Sequence, residues 1–215
     1  MSNKPFHFHT RFYLVKLLGD KAKNPAQLLD GIKKVPISSI YYHTHRFLQQ
    51  HHYLSPEPPN DFAYWLSNIL NLKPLGESFA SVDVVCFKDM EALRAQFVKI
   101  LNDYLAKGKP IVDCPAGYEF HFMGCLTFVL PTPHIANNRK EFAEALSKVS
   151  INSLYFHIFE ARMRLCRDEN DFAAWFKEIG ETDLAKEVAK LDPYTITLEG
   201  LREKIIKMVH KYGKS

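Results

Sequence analysis

The chain has 215 residues, 47% hydrophobic and 24% charged, with 16 Phe and 10 Tyr. That length admits one ordinary domain or two small ones, and the composition excludes a chain disordered over most of its length. A formal charge of +4 falls short of the dense basic stripe of proteins that hold nucleic acid through phosphates.

In chain order, Phe6, Phe8, Thr10, Phe12 and Leu14 alternate with His7, His9, Arg11 and Tyr13, a period of two that predicts a strand. Asn24-Pro25 predicts a capped helix start, with the helix running to Lys34. Ser39 is placed to cap a second helix, on which Ile40, Thr44, Phe47, Leu48 and His51 fall at helical spacing before Ser55-Pro-Glu-Pro-Pro59 breaks it. Asn60-Asp61 predicts the cap of a third helix with Phe62, Trp65, Leu66 and Ile69 on its apolar face. The segment Asp83 to Phe87 is short and β-branched enough for a strand, and a last helix spans Met90 to Leu105.

The same series then repeats. Ser39-Ile-Tyr-Tyr-His43 recurs as Ser153-Leu-Tyr-Phe-His157, and at the same offset Phe6-His7-Phe8 meets Phe120-His121-Phe122 and Asn24 meets Asn138. Asn60-Asp-Phe-Ala-Tyr-Trp65 recurs as Asn170-Asp-Phe-Ala-Ala-Trp175, and Met90-Glu-Ala-Leu-Arg94 as Leu198-Glu-Gly-Leu-Arg202. A repeat of this length and order predicts a tandem duplication. The expected fold is mainly α with a small β element (α+β), in two homologous modules: residues 1–105, a connector at 106–117 rich in Gly and Pro, and residues 118–215. Two copies of one surface can pair isologously about a pseudo-twofold axis. Each module should hold a strand and about four helices, the second copy's running from Asn138 to Lys148, from Ser153, from Asn170-Asp171, and from Leu198 to Tyr212.

Residues 1–108 carry 13 basic and 9 acidic side chains, whereas 109–215 carry 15 of each. The first module is therefore basic and His-rich, the second neutral. Cys86, Cys114, Cys125 and Cys166 lie far apart without a Cys-x-x-Cys pair, which argues for buried thiols and against a zinc ribbon or disulfide framework. No apolar run approaches membrane-span length and MSNKPFHFHTRF is no secretory signal, so a cytoplasmic protein without membrane contact is expected.

Histidines are the sharpest functional candidates. His7 and His43 recur as His121 and His157. Imidazole ligates divalent transition metals, and His7, His9, His43, His121, His157 and Glu160 are the candidate ligands of a metal-binding enzyme or sensor. Against it, residues i and i+2 of an α-helix point about 200° apart, so His43 and His45 cannot share an ion there. The blander expectation is that matched histidines hydrogen-bond strand to helix. Likewise, in Asn-Asp-Phe-x-x-Trp the Asp is expected to cap and the aromatics to fill the core. No Gly-rich phosphate loop or nucleophile elbow occurs, and no catalytic residue is assigned.

The strings SIYYHTHRFLQQHHYLSPEPPNDFAYW, SLYFHIFEARMRL and NDFAAW resemble those of the prokaryotic DUF5752 family over nearly the whole chain. That resemblance implies an intracellular prokaryotic protein and supplies no activity or cofactor. The residues themselves favour a non-catalytic binding or adaptor protein that takes another protein or a small polar ligand and is able to form a homo-oligomer. Residues special to the first copy, His9, Arg11, His45, Arg46, His51 and His52, together with His43, are the expected recognition residues. Metal binding is the alternative; nucleic-acid binding through Tyr41 to Phe47 is the third, and the acidic Glu160 at the position matching Arg46 argues against it.

Overall fold

The computed structural model describes residues 4–46, 59–84, 87–108, 111–161, 169–191 and 196–212. Strand β1 (Phe6–Ala22) leads into α1 (Pro25–Lys34), α2 (Ile37–Tyr41), α3 (Asp61–Tyr64), α4 (Lys73–Ala80) and α5 (Met90–Leu105). Strand β2 (Phe120–Ala136) opens the same succession: α6 (Arg139–Lys148), α7 (Ile151–Tyr155), α8 (Asp171–Glu178), α9 (Thr182–Ala189) and α10 (Leu198–Lys211). Single π-helical turns extend α2 (Tyr42–Arg46), α3 (Trp65–Ile69) and α7 (Phe156–Glu160). Among the described residues the fold is mostly helical with one antiparallel two-stranded sheet of β1 and β2. Among the described residues no helix is long and apolar enough to cross a membrane.

Local chemistry explains most boundaries. Asn24, Asn60, Asn138 and Asn170 accept from the backbone N–H three residues on, and Thr197 and Asp89 do the same for α10 and α5. Asp61 and Asp171, expected to share the capping, are occupied elsewhere. Ser39 and Ser153 are not caps: both lie buried inside helices that begin two residues earlier. Helices α4 and α9 were not expected, because eight residues carry too few turns to show a periodicity. Val84 sits in a turn and Phe87 in a bend; Val85, Cys86 and Asp192 to Thr195 lie outside the described residues.

The chain packs as two compact units. Over the described residues, an N-unit comprises 13–46, 59–84, 87–108 and 111–126, and a C-unit comprises 4–12, 127–161, 169–191 and 196–212. The start of each strand has been exchanged. Phe120 and Phe122 pack in the N-unit core with Leu28, Ile32, Phe62 and Trp65. Phe6 and Phe8 pack in the C-unit core with Phe142, Leu146, Phe172 and Trp175. Alternation identifies a half-buried strand but says nothing of which helices cover its apolar face, and the two Phe-x-Phe segments are alike. Burying one such Phe contributes about 1.5–3 kcal/mol, so these four rings are major tertiary anchors. The expected connector is tied into the N-unit, where Cys114 N–H donates to the Lys23 carbonyl at 2.7 Å and Asn24 Nδ2 to Asp113 Oδ1 at 2.6 Å.

Candidate functional site

The π-turn after α2 starts the site. An extra residue in one helical turn shifts the register, and such turns recur at functional positions. Here it buries His43, Thr44 and His45 in succession. Thr44 Oγ1 donates to the Ile40 carbonyl at 2.6 Å, so its oxygen accepts from Nδ1–H of His45 at 2.9 Å. The His45 ring lies nearly parallel to that of Tyr41, 5.5 Å between centroids.

His43 is held at both nitrogens. The backbone N–H of Met123, on β2, donates to Nε2 at 2.9 Å, which leaves Nδ1 carrying the proton and donating to Asp61 Oδ2 at 2.7 Å. The C-unit repeats this arrangement: His9 N–H donates to His157 Nε2 at 2.9 Å, and His157 Nδ1 donates to Asp171 Oδ2 at 2.7 Å. Beside each imidazole a tryptophan completes the grip on the strand. Trp65 Nε1 donates to the Tyr118 carbonyl at 2.8 Å, and Trp175 Nε1 to the Lys4 carbonyl at 2.9 Å. Each His–Asp pair looks like part of a general-base constellation. The Nε2 lone pair that such chemistry needs is already spent on a backbone donor.

The same accounting bears on the metal reading. Neither His43 nor His157 offers an ion a lone pair in this arrangement, and His7 and His121 are exposed on their strands. The candidates are also divided: His43 and His121 fall in the N-unit, and His7, His9, His157 and Glu160 in the C-unit. Glu160 is buried and paired with Arg11. Among the described residues no group of three His, Cys, Asp or Glu side chains is placed to hold a metal ion. The expected strand-to-helix bonding is found for His43 and His157, but through backbone N–H groups rather than through His7 and His121.

The expected recognition residues also separate. His43 and His45 are buried, which removes them from any open surface. His9 is half-buried, with Nδ1 donating to the His7 carbonyl at 3.0 Å. His51 and His52 lie outside the described residues. Arg46 remains on a partly open face of the N-unit, its guanidinium carbon 5.0 Å from the Tyr13 ring centre and 5.4 Å from that of Tyr42. Tyr13 Oη lies 2.7 Å from Tyr41 Oη. Burial raises the Tyr42 hydroxyl above its ordinary pKa, and the Arg46 charge partly opposes that. Tyr13 escaped the sequence reading because it stands among the polar alternates of β1. Cys125, which the repeat offset matches to Arg11, is the buried thiol its lack of a Cys-x-x-Cys partner led one to expect, with Sγ 3.8 Å from the Ser38 carbonyl.

The solved structure described as the structure of OrfY from Thermoproteus tenax matches with a TM-score of 0.78 and 24% identity, over 99% of this chain and 97% of that one. At that identity the likeness concerns the fold alone. No curated protein matches the chain. The model of a family of unknown function, DUF5752, matches residues 3–210, and the chain therefore belongs to the DUF5752 family.

Proposed function

We propose that this is a cytoplasmic, non-catalytic binding protein made of two modules that arose by tandem duplication, with the Tyr13, Tyr42 and Arg46 face of the N-unit as its recognition surface for a protein or a small polar ligand. The duplication reading draws on the repeated His–Asp, Asn-cap and Trp hydrogen bonds at matched positions. Arg94 and Arg202 add to it, donating to the Val35 and Val149 carbonyls at 2.9 and 2.7 Å.

One observation carries the binding reading: the units differ at a matched strand-and-helix pair. In the C-unit, Arg11 on the strand meets the buried Glu160 on the helix. In the N-unit the corresponding residues are Cys125 and Arg46, and Arg46 stacks on two half-buried tyrosines. A planar guanidinium on aromatic rings is a rigid, amphipathic contact of the kind enriched at binding hot spots. The test is affinity capture from the native source with wild type, Arg46→Glu and the control Lys186→Ala, which changes an exposed C-unit lysine. Arg46→Glu should weaken a captured partner by about tenfold or more, a charge reversal at a hot spot costing roughly 1.4 kcal/mol or above. Retention of every partner at wild-type affinity by a folded Arg46→Glu protein defeats the proposal.

A further inference from the structure

The two strand-binding clefts read an extended segment in the same way. Each presents an indole N–H to a carbonyl, an aromatic bed to two phenylalanines at i and i+2, and an imidazole nitrogen to the next N–H. In the C-unit these meet Lys4 O, Phe6, Phe8 and His9 N–H. In the N-unit they meet Tyr118 O, Phe120, Phe122 and Met123 N–H. The imidazole is oriented by a carboxylate in both, so the acceptor nitrogen is built in before the strand arrives.

Neither cleft holds the strand that leads into its own helices. Phe6 is seated against Phe142 and Phe172, more than a hundred residues away in the chain. Both clefts are thus complementary to Phe-x-Phe and its backbone, and in the C-unit the occupant comes from a distant part of the chain. We infer that each helical unit is an acceptor site for an extended Phe-x-Phe strand and that a second copy of this chain can supply that strand, giving a strand-exchanged dimer. Every contact that seats the strand is the same whether the donor is the same chain or another. Chain concentration and the entropy of closing the chain then set the balance.

The C-unit offers a direct probe, because Thr10 Oγ1 on the seated strand lies 3.3 Å from Ser150 Oγ before α7. Full-length Thr10→Cys and Ser150→Cys chains are mixed, unfolded, refolded together at high concentration and oxidised, and the linked peptides are identified by mass spectrometry. A link from position 10 to position 150 in that mixture can only join two chains. It should exceed links from 10 to 10 by about tenfold or more, since docking holds the two positions at a high effective concentration. The chain carrying both substitutions should link within itself and stay monomeric.

If the double variant links internally while the mixture gives no 10-to-150 link, exchange with a second copy does not occur. Equal yields of 10-to-10 and 10-to-150 links mean surface collision and equally overturn the inference. Failure of the folded double variant to link at all removes the seated-strand geometry on which it rests.

Discussion

The N-unit and the C-unit use one polar framework and differ in what they build beside it. Both clamp a strand with an Asp-oriented imidazole and an indole, both cap their helices with asparagine, and both tether a helix end with an arginine. Beside the clamp, the C-unit buries a charge and neutralises it within itself through Arg11 and Glu160. The N-unit places Arg46 on tyrosine rings at a half-buried face. A charge buried in a pair is costly to displace, and a guanidinium stacked on aromatic rings is held by a weaker contact. The matched residues hold strand to helix in both units, and the units differ in what holds the charge beside that clamp.

The largest effects should come from the exchanged phenylalanines. Phe8→Ala and Phe122→Ala each empty a fully buried ring site and should cost about 3–5 kcal/mol. The location of the loss is the sharper test. Hydrogen exchange should accelerate in α6 to α10 for Phe8→Ala and in α1 to α5 for Phe122→Ala. The reverse pattern would mean that each strand start covers its own helices.

A smaller effect separates the two units at their divergent pair. Glu160→Gln leaves Arg11 without its carboxylate in a site where the Glu side chain is 2% exposed and the Arg side chain 20%. Breaking a buried pair costs about 3–5 kcal/mol, and the partial exposure of Arg11 lowers the expectation to about 2–3 kcal/mol. Arg46→Gln removes the stacking on Tyr13 and Tyr42, an interaction of roughly 1 kcal/mol. Denaturant titrations that found the Arg46 change equal or larger would erase the contrast between a charge held in a buried pair and one held on tyrosine rings.

Much of this was legible in the sequence, because the repeat allowed each element to be read twice. The Asn caps, α1, α5, α6 and α10 follow from short-range chemistry that sequence displays. The strand exchange does not, since Phe6 and Phe120 are interchangeable to any local rule. The pairing of Asp61 with His43 was hidden for a related reason: an acidic residue in the first helical turn satisfies capping rules, and only tertiary placement shows that the asparagine before it does the capping. The π-turns were also invisible, as an inserted residue leaves helical composition intact while moving His45 into the core. At the candidate site, Arg46 was legible as a residue that the matching position, Glu160, does not repeat, whereas its tyrosine partner Tyr13 comes from a different element.

The smallest effect tests the comparison at the helix starts. Ahead of α6, Glu141 accepts from the Asn137 N–H at 2.8 Å and from its side-chain amide at 2.9 Å, while Asn138 caps the helix. Ahead of α1 the same reciprocal box has Gln27 accepting from Lys23 N–H at 2.9 Å. One box carries a titratable carboxylate and the other a neutral amide. The Asn137 hydrogen bonds hold the Glu141 carboxyl below its ordinary pKa. A depressed carboxylate contributes stability that is present above the ordinary value, about 4.3, and is lost as pH falls through the lower folded value. Amide protection at the start of α6 should therefore weaken on acidification below that range while α1 is unaffected, and Glu141→Gln should remove the difference. Equal acid sensitivity of α6 in wild type and Glu141→Gln would assign the loss to other carboxylates and leave the two boxes indistinguishable.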